Sequence, residues 1–259
     1  MSKPKFRASQ VGRLMTEPKT VKDKEAGNLS EGAKTYCLEV FAQWKYKREK
    51  QIFSKYFEKG NETEEDAITL VSKANLVILN KNSENLANEY LTGTPDLFTG
   101  ADIRNAQTIR DTKSRWDIYS FLEAKHKPID PVYYGQLQAY MWLTNAPVAY
   151  LDNCLVNATA DLISDERRRI AYSMRVMDND SDPAYLKACH KLERSMIFDI
   201  VAFCERYPHF DLATDISRWA FDIPWQERIH SVEIKRDDAY IERMKAKIEK
   251  AWEYIASLG

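Results

Sequence analysis

The sequence lacks any apolar run close to the roughly 20 residues that a membrane-spanning helix needs. Its first residues, Met-Ser-Lys-Pro-Lys, lack the hydrophobic core of a signal peptide. Repeats, low-complexity tracts and obvious linkers are absent as well. We therefore expect a cytoplasmic protein, and we interpret residues 1–259 as a single domain. With 44% hydrophobic residues, the 259-residue chain can bury a substantial core.

Cysteine and histidine are also scarce. The chain has four cysteines, Cys37, Cys154, Cys189 and Cys204. They are widely spaced and match no zinc or iron–sulfur pattern, so we expect reduced and mostly buried thiols. The four histidines are equally dispersed, and we assign no metal to them. A metal site in this chain is therefore expected to use carboxylates, the ligands that hard divalent cations prefer.

Two carboxylates and one amine form the most informative pattern. Gly93-Thr94-Pro95-Asp96 precedes Asp111-Thr112-Lys113, with fifteen residues from one aspartate to the other. A metal-dependent phosphodiesterase needs carboxylates to hold the cation, and a lysine to hold the attacking water or stabilise charge on the phosphate. We interpret Asp96 and Asp111 as metal ligands and Lys113 as that lysine. Either motif alone is weak, because Pro-Asp is a common turn and alternating charges are typical of a solvated strand edge.

The second motif lies in a predicted strand. Residues 107–113 are rich in β-formers. Side chains two residues apart on a strand share a face, so Asp111 and Lys113 should point together, with Arg110 and Thr112 opposite. The backbone carbonyl of Thr112 is a further candidate metal ligand.

A third carboxylate is expected from a helix that opens after a break at Gly60. Four acids crowd its first turn: Glu62, Glu64, Glu65 and Asp66. The apolar positions of this helix are Ala67, Ile68, Val71 and Ala74. Helical spacing places Glu64 on the same face, where an acid is costly unless it is paired or bound to metal. We predict that Glu64 is the third ligand; the alternative is a solvated glutamate that the helix dipole favours.

A helix is predicted over residues 131–144. Asp130 and Pro131 are a typical N-cap and first residue, and the pattern ends at Asn145-Ala146-Pro147. Gln136 and Tyr140 are one turn apart, so their side chains are neighbours. Beside an acidic metal site they become candidates for orienting the substrate backbone or the side chains of the site. In isolation they would be ordinary helix residues.

Together these motifs resemble the PD-(D/E)XK nuclease superfamily. The resemblance rests on Gly-x-x-x-Glu (60–64), Thr-Pro-Asp (94–96), Asp-x-Lys (111–113) and Gln-x-x-x-Tyr (136–140). Within the superfamily the chain most resembles the YqaJ-like viral recombinase branch, to which lambda exonuclease belongs. Residues 7–15, 135–144 and 228–258 are similar to that branch, whereas residues 157–222 carry no motif. Asp111 stands where many relatives have Glu.

The resemblance implies a restriction-endonuclease-like core and an exonuclease that uses Mg²⁺, with Mn²⁺ as a substitute and two ions in the site. It implies 5′ to 3′ digestion of linear duplex DNA in a phage-type recombination system, a homotrimeric ring and a single-strand annealing partner. Cysteine spacing argues against the iron–sulfur nucleases of the superfamily. The alternatives are an endonuclease or end-trimming nuclease of a defence or repair system, and a catalytically silent module that binds DNA ends.

The net charge of −1 does not by itself indicate DNA binding, but basic residues cluster near both the N terminus and the predicted strand, where Arg110 is one of several candidates for phosphate contacts. Arg115 lies two residues beyond Lys113 on the same strand face, and we predict that it contacts DNA. Ser9, Arg13 and Lys19 are candidates for holding a terminal phosphate. The alternative for each is a solvated polar surface.

The pattern predicts an α/β fold with a central mixed sheet, helices on both sides and extra helices towards the C terminus. Helices are expected near residues 8–16, 31–58, 62–74, 131–144 and 162–206, the last with a break near 180–183. Strands are expected near 76–80, 86–92, 95–99, 106–113 and 148–156. A strand and helix over residues 228–258 close the chain, and that helix has the clearest apolar periodicity.

Overall fold

A five-stranded mixed sheet forms the centre of the protein. The computed structural model describes residues 3–51, 54–178, 181–213 and 222–259. The sheet has the order β2-β5-β6-β7-β8, formed by Asn80–Lys81, Leu97–Thr99, Thr108–Ser114, Val148–Cys154 and Ile229–Lys235. A smaller sheet has the order β1-β4-β3, formed by Phe6–Arg7, Leu91–Gly93 and Leu86–Ala87.

Only β6 and β7 are parallel in the larger sheet, because two helices connect them. These are α5 (Ile118–His126) and α6 (Pro131–Thr144). The pairing runs from Thr108 opposite Val148 to Ser114 opposite Cys154. Since paired residues share a face, odd-numbered residues of both strands face α6 and even-numbered ones face the opposite layer.

The helices lie on both faces of this sheet, as the sequence predicted. The remaining helices are α1 (Val21–Glu25), α2 (Glu31–Tyr46), α3 (Lys55–Glu62), α4 (Glu64–Asn75), α7 (Ala160–Met174), α8 (Pro183–Met196), α9 (Ile200–Arg206) and α10 (Asp238–Ser257). The largest apolar cluster joins α2, α6 and α10 to one sheet face. On the other face, Ala67, Leu70 and Val71 of α4 pack against Cys154 and Val156.

A 3-10 helix, Ala8–Met15, packs closely on α6. A Cβ atom on Gly12 would lie 2.6 Å from the Val132 Cα, and one on Gly135 would lie 2.6 Å from the Gly12 Cα. No side chain fits at such distances, so this glycine pair is what allows the N-terminal segment to approach the helix. The predicted helix at 8–16 is therefore present, but with 3-10 geometry.

The expected elements differ from the structure at several boundaries. One helix was predicted over 31–58, but α2 ends where Lys47 adopts a left-handed φ of 55°, and α3 starts at Lys55. The charged run 47–51 provides no apolar stripe that would continue the helix. Gly60 lies inside α3 rather than breaking the chain, and the break falls at Thr63.

Two further differences concern the segments around the sheet. Of the strand predicted at 76–80, only Asn80 pairs, because Leu76 has a left-handed φ of 52° and ends α4. Helix α5 was not anticipated; an Asp117–Ser120 capping box starts it. The closing strand and helix agree with prediction, as β8 and α10. Residues 179–180, in the predicted break between helices, lie outside the described residues.

The thiols agree with prediction: Cys37, Cys154 and Cys189 are free and buried, whereas Cys204 is free and exposed. In the described ranges, none of the helices has the length and apolar character needed to cross a membrane.

Candidate active site

Strand register brings the two predicted aspartates together. The antiparallel β5–β6 pairing runs from Thr99 opposite Thr108 to Leu97 opposite Arg110. The next position of this register places Asp96 beside Asp111, at the point where β5 has ended. The fifteen-residue spacing in the sequence is thus the length of the connection between two neighbouring strands.

Asp111 lies at the centre of the site, with a side chain that is 1% exposed. Gln136 donates from Nε2 to Asp111 Oδ1 at 2.9 Å and to the Tyr140 hydroxyl at 3.2 Å. Lys113 Nζ lies 2.7 Å from Asp111 Oδ2, which confirms that the two side chains share a strand face. That oxygen nevertheless receives no hydrogen bond of acceptable geometry, so it is compensated by charge alone.

Gln136 and Tyr140 therefore sit where they can orient Asp111. Both side chains are buried. The sequence left two roles open for them, orienting the substrate backbone or orienting the side chains of the site. Burial and the nearby Asp111 and Asp96 carboxylates raise the pKa of Tyr140, so its hydroxyl remains protonated. The geometry favours the second role, in which one helix turn fixes the orientation of a carboxylate.

The charges of the site are strongly coupled. Burial, with the Asp111 carboxylate next in importance, raises the pKa of Asp96 to about 6. Burial is the largest single influence on the pKa of Lys113 and lowers it, but the interactions with Asp111, Tyr133 and Asp96 together outweigh burial, so the net shift is upward. A cation that binds beside a carboxyl group with such a raised pKa stabilises its ionised form. The Asp96 and Asp111 carboxylates thus lie beside the protonated amine of Lys113.

Glu64 approaches from the other layer, as the first residue of α4. Its side chain is 36% exposed and pairs with Lys81, with 3.3 Å between Oε1 and Nζ. The sequence predicted that Glu64 lies on the buried face of its helix, but its side chain is only partly buried. Helix α4 buries Ala67, Leu70 and Val71 and leaves its first residue at the edge. Glu64 still raises the pKa of Asp96, although less than Asp111 does, so it lies within electrostatic range of the site.

Lys81 is a charged residue of the site that sequence reasoning missed. It lies at the end of β2, opposite Leu97, and pairs with Glu65 at 2.7 Å as well as with Glu64. Its charge lowers the pKa of Asp96. The pairing of β2 with β5 could have identified it. In that register Lys81 stands opposite Leu97, which is the neighbour of Asp96.

The donor set fits a hard divalent cation. Asp111 Oδ2 is buried without a directed hydrogen bond, and the Asp96 carboxylate is crowded by other carboxylates. Arg115 N donates to Cys154 O on β7. Because backbone groups alternate along a strand, the Thr112 carbonyl is expected to face the opposite edge, which β5 leaves open. Among the described residues, no group of three or more acids, histidines or cysteines is close enough to hold a metal ion as placed, and Glu64 is paired with Lys81.

The predicted DNA contacts lie in different settings. Arg115 is half-buried and donates to Asn153 Oδ1, with 2.8 Å from its Nε. Arg13 donates to both Glu39 oxygens, at 2.6 and 3.1 Å, so its guanidinium already has partners. Ser9 is half-buried and Lys19 is exposed. A Cβ on Gly93 would lie 2.7 Å from the Ala8 Cβ and 3.1 Å from Tyr140 Cε1, which puts the N-terminal segment beside the site.

Arg110 is not available for DNA. It was grouped with the basic residues around the strand, but it is 5% exposed and donates from Nη1 to both Asp152 oxygens at 2.8 Å. Strand alternation turns it to the α4 side of the sheet.

A buried lysine that the sequence did not single out connects α3 to the end of β6. Lys59 is fully buried, and its Nζ donates to the carbonyls of Arg115 at 2.8 Å and Trp116 at 2.9 Å. Burial lowers the pKa of Lys59 to about 7. One turn later, Thr63 donates to Ser114 Oγ at 2.9 Å. These contacts fix the helix that carries Glu64 against the strand that carries Asp111.

Comparison with known proteins gave matches among solved structures only. No protein-family model and no curated protein sequence matches this chain. A phage-related exonuclease from Haemophilus somnus 129PT is 28% identical, with a TM-score of 0.70, and the alignment covers 99% of this chain and 95% of that one. The alkaline exonuclease of Laribacter hongkongensis has a TM-score of 0.58, with 98% and 88% covered. At 14% identity it shows the fold alone; a second structure of it, in complex with dAMP, matches equally well.

The sheet order, the assembled motif residues and these neighbours agree with the resemblance found in the sequence. The chain has the fold of these exonucleases, and this similarity is consistent with the YqaJ-like, lambda exonuclease-like branch of the PD-(D/E)XK nuclease superfamily, which the chain resembles in sequence.

Proposed function

We propose that this protein is a Mg²⁺-dependent DNA exonuclease of a phage-type recombination system. It digests linear duplex DNA from the 5′ end and leaves single-stranded DNA for an annealing partner. The observation that carries the proposal is the arrangement on β6, where Asp111 is oriented by Gln136, contacted by Lys113 and placed beside Asp96. The neighbour that is 28% identical over 99% of this chain is described as a phage-related exonuclease, which supports the same class of activity.

Each side chain has a distinct part in phosphodiester hydrolysis. Asp96, Asp111, Glu64 and the Thr112 carbonyl would hold Mg²⁺, with Mn²⁺ as a substitute. A divalent cation in such a site supplies Lewis acidity and lowers the pKa of a bound water. Lys113, which stays protonated beside Asp111, stabilises negative charge that develops on the phosphate. Gln136 keeps the Asp111 carboxylate from rotating, because it anchors one of the two oxygens.

Purified protein should digest end-labelled linear duplex DNA with Mg²⁺ and leave closed circular duplex intact, because loading requires an end. Removing Mg²⁺ with a chelator should stop digestion. Label at the 5′ end should appear as mononucleotide before label at the 3′ end. A 5′ phosphate should speed loading about ten-fold over a 5′ hydroxyl if Arg13, Lys19 or Ser9 binds it, since a charge-assisted hydrogen bond contributes roughly 1.5 to 3 kcal/mol.

Each alternative has its own outcome in the same experiment. Nicking of closed circles at a rate comparable with linear digestion would identify an endonuclease. Retention of labelled ends in a binding assay without cleavage in Mg²⁺ or Mn²⁺ would identify a silent end-binding module. Early release of the 3′ label would contradict the 5′ to 3′ direction but would still be consistent with an exonuclease.

We further propose a ring-shaped homotrimer, which would keep the enzyme on one DNA molecule. A closed head-to-tail ring gives one discrete species over a range of loading concentrations. Light scattering after size exclusion should therefore give about 90 kDa, three times the 30.1 kDa chain. A monomer at micromolar concentration would contradict the trimer and leave a distributive nuclease.

A further inference from the structure

We propose that Tyr133 is a positioning residue of the active site, whose aromatic ring holds both the Lys113 amine and the Arg115 guanidinium. This inference rests on the proposed nuclease function and extends it to a residue outside the motifs. The sequence alone does not indicate a role for Tyr133, because a tyrosine in the first turn of a helix matches no functional motif.

Two cations share this ring: Lys113 in β6, and Arg115 one residue beyond the end of that strand. Lys113 Nζ lies 5.0 Å and Arg115 Cζ 5.8 Å from the Tyr133 ring centroid. Both distances fall within the range in which a ring quadrupole attracts a positive charge. Because residues 113 and 115 are two apart on an extended chain, their side chains leave the same face, and one ring on α6 can meet both.

The other partners of these two cations are residues of the sheet. Lys113 Nζ has Asp111 Oδ2 at 2.7 Å, and Arg115 donates to Asn153 Oδ1. Both contacts come from the sheet itself, from β6 and β7, whereas Tyr133 approaches from the helix layer. The ring therefore limits how far the amine and the guanidinium can rotate away from the sheet.

One face of α6 contacts both Asp111 and Lys113. Tyr133, Gln136 and Tyr140 are three and four residues apart, so they project from one side of the helix. Gln136 orients the Asp111 carboxylate, with Tyr140 behind it. Tyr133, one turn earlier, extends this support to Lys113. The carboxylate and the amine are thus positioned by the same rigid element, a requirement for well-oriented catalysis.

The shared ring also offsets repulsion between two like charges. An ammonium and a guanidinium two residues apart on one strand face repel each other, whereas the electron-rich ring attracts both. Lys113 is in the catalytic position, and Arg115 is the predicted DNA contact. Tyr133 therefore affects the chemical step through one cation and DNA binding through the other.

The experiment replaces the ring in graded steps in the full-length protein. Tyr133→Phe keeps the ring and should retain most of the single-turnover cleavage rate. Pentafluorophenylalanine at position 133 keeps the shape of Phe but removes the attraction for cations. It should lower that rate about ten-fold relative to Phe, as expected for a partly desolvated cation–π contact. Tyr133→Leu should lower the rate at least as much and also weaken DNA binding in the absence of Mg²⁺.

A matched control is available on the adjacent residue. The Tyr134 ring packs edge-on against Tyr240, with 4.9 Å between centroids, on the side of α6 that faces α10. Tyr134→Leu should change the melting temperature at least as much as Tyr133→Leu while leaving the cleavage rate near wild type. Any loss of rate shared by both variants would be an effect of α6 packing, and would count against the proposal.

Arg115→Ala separates the two effects of the ring. In that background Tyr133→Leu should still lower the single-turnover rate but should no longer weaken DNA binding. Equal rates for Phe and pentafluorophenylalanine at position 133 in an active enzyme would overturn the positioning role and leave the nuclease assignment intact. Absence of cleavage by the wild-type protein would instead reject the proposed function. A DNA-binding constant of Tyr133→Leu equal to that of the wild-type protein would reject the link through Arg115.

Discussion

Asp111→Ala should lower the cleavage rate at least about a hundred-fold while leaving the affinity for DNA ends largely unchanged. Asp111 has the most buried carboxylate of the site, and its Oδ2 is contacted by the Lys113 ammonium at 2.7 Å without a hydrogen bond of acceptable geometry. Losing a catalytic metal ligand costs several kcal/mol of transition-state stabilisation, and about 1.4 kcal/mol corresponds to ten-fold in rate. Lys113→Ala should have a comparable effect, because it removes the ammonium charge beside the phosphate. Rates should be measured on linear duplex at saturating Mg²⁺.

Two variants serve as controls for this prediction. Asp111→Asn keeps the shape and the contact with Gln136 but lowers the charge, so it should be nearly as inactive while folding normally. Asp102→Ala removes an exposed carboxylate that accepts from Arg104 N and from Asn105 Nδ2 in a short 3-10 turn, and it should leave the rate near wild type. An Asp111→Ala enzyme that retains more than about a tenth of the wild-type rate with full Mg²⁺ would contradict the assignment.

Local periodicity was enough to predict the inner part of the site. The two-residue repeat of a strand places Asp111 and Lys113 on one face, and the structure puts Lys113 Nζ 2.7 Å from Asp111 Oδ2. The helix repeat places Gln136 next to Tyr140, and the structure shows their hydrogen bond. In both cases the partners are only a few residues apart, so backbone geometry alone fixes the neighbourhood.

Contacts between distant segments could not be obtained in this way. Lys81 pairs with Glu64 across a chain reversal, and Lys59 reaches the carbonyls that follow β6. Tyr133 meets Lys113 only because the α6 face is set by its packing on the 3-10 helix at Gly12. Such partners depend on tertiary packing, which a single sequence does not encode as a period.

The environment of Arg110 shows the same limit with a charged residue. Strand alternation correctly predicted that the Arg110 side chain points away from Lys113. The sequence alone could not reveal that Asp152 on β7 lies within hydrogen-bond distance of it. A basic residue near a predicted nuclease site was therefore grouped with possible phosphate contacts. Its actual partner follows from the parallel register, in which Thr112 stands opposite Asp152, so that Arg110 reaches a diagonal neighbour.

That buried pair leads to the largest expected effect on stability. Asp152→Ala should lower the free energy of unfolding by about 3 to 5 kcal/mol, because it leaves the Arg110 guanidinium buried without a counter-charge. Asp152 is 0% exposed and accepts from Arg110 Nη1 and from Ser231. Burial nevertheless raises the pKa of Asp152, against the opposing influence of Arg110, so the ion pair offsets only part of the desolvation cost.

The double variant Arg110→Met, Asp152→Leu should therefore unfold close to wild type, since it removes both charges and fills the space with apolar side chains. Urea unfolding of the two single variants and the double variant forms a cycle that isolates the pair. A loss below about 1 kcal/mol for Asp152→Ala would mean that water reaches Arg110 and that the pair is not buried in solution. Because the pair lies on the reverse face of β6, the double variant should also keep its cleavage activity. The strand would then carry two independent charge systems, with the reverse face affecting stability and the Asp111 face affecting chemistry.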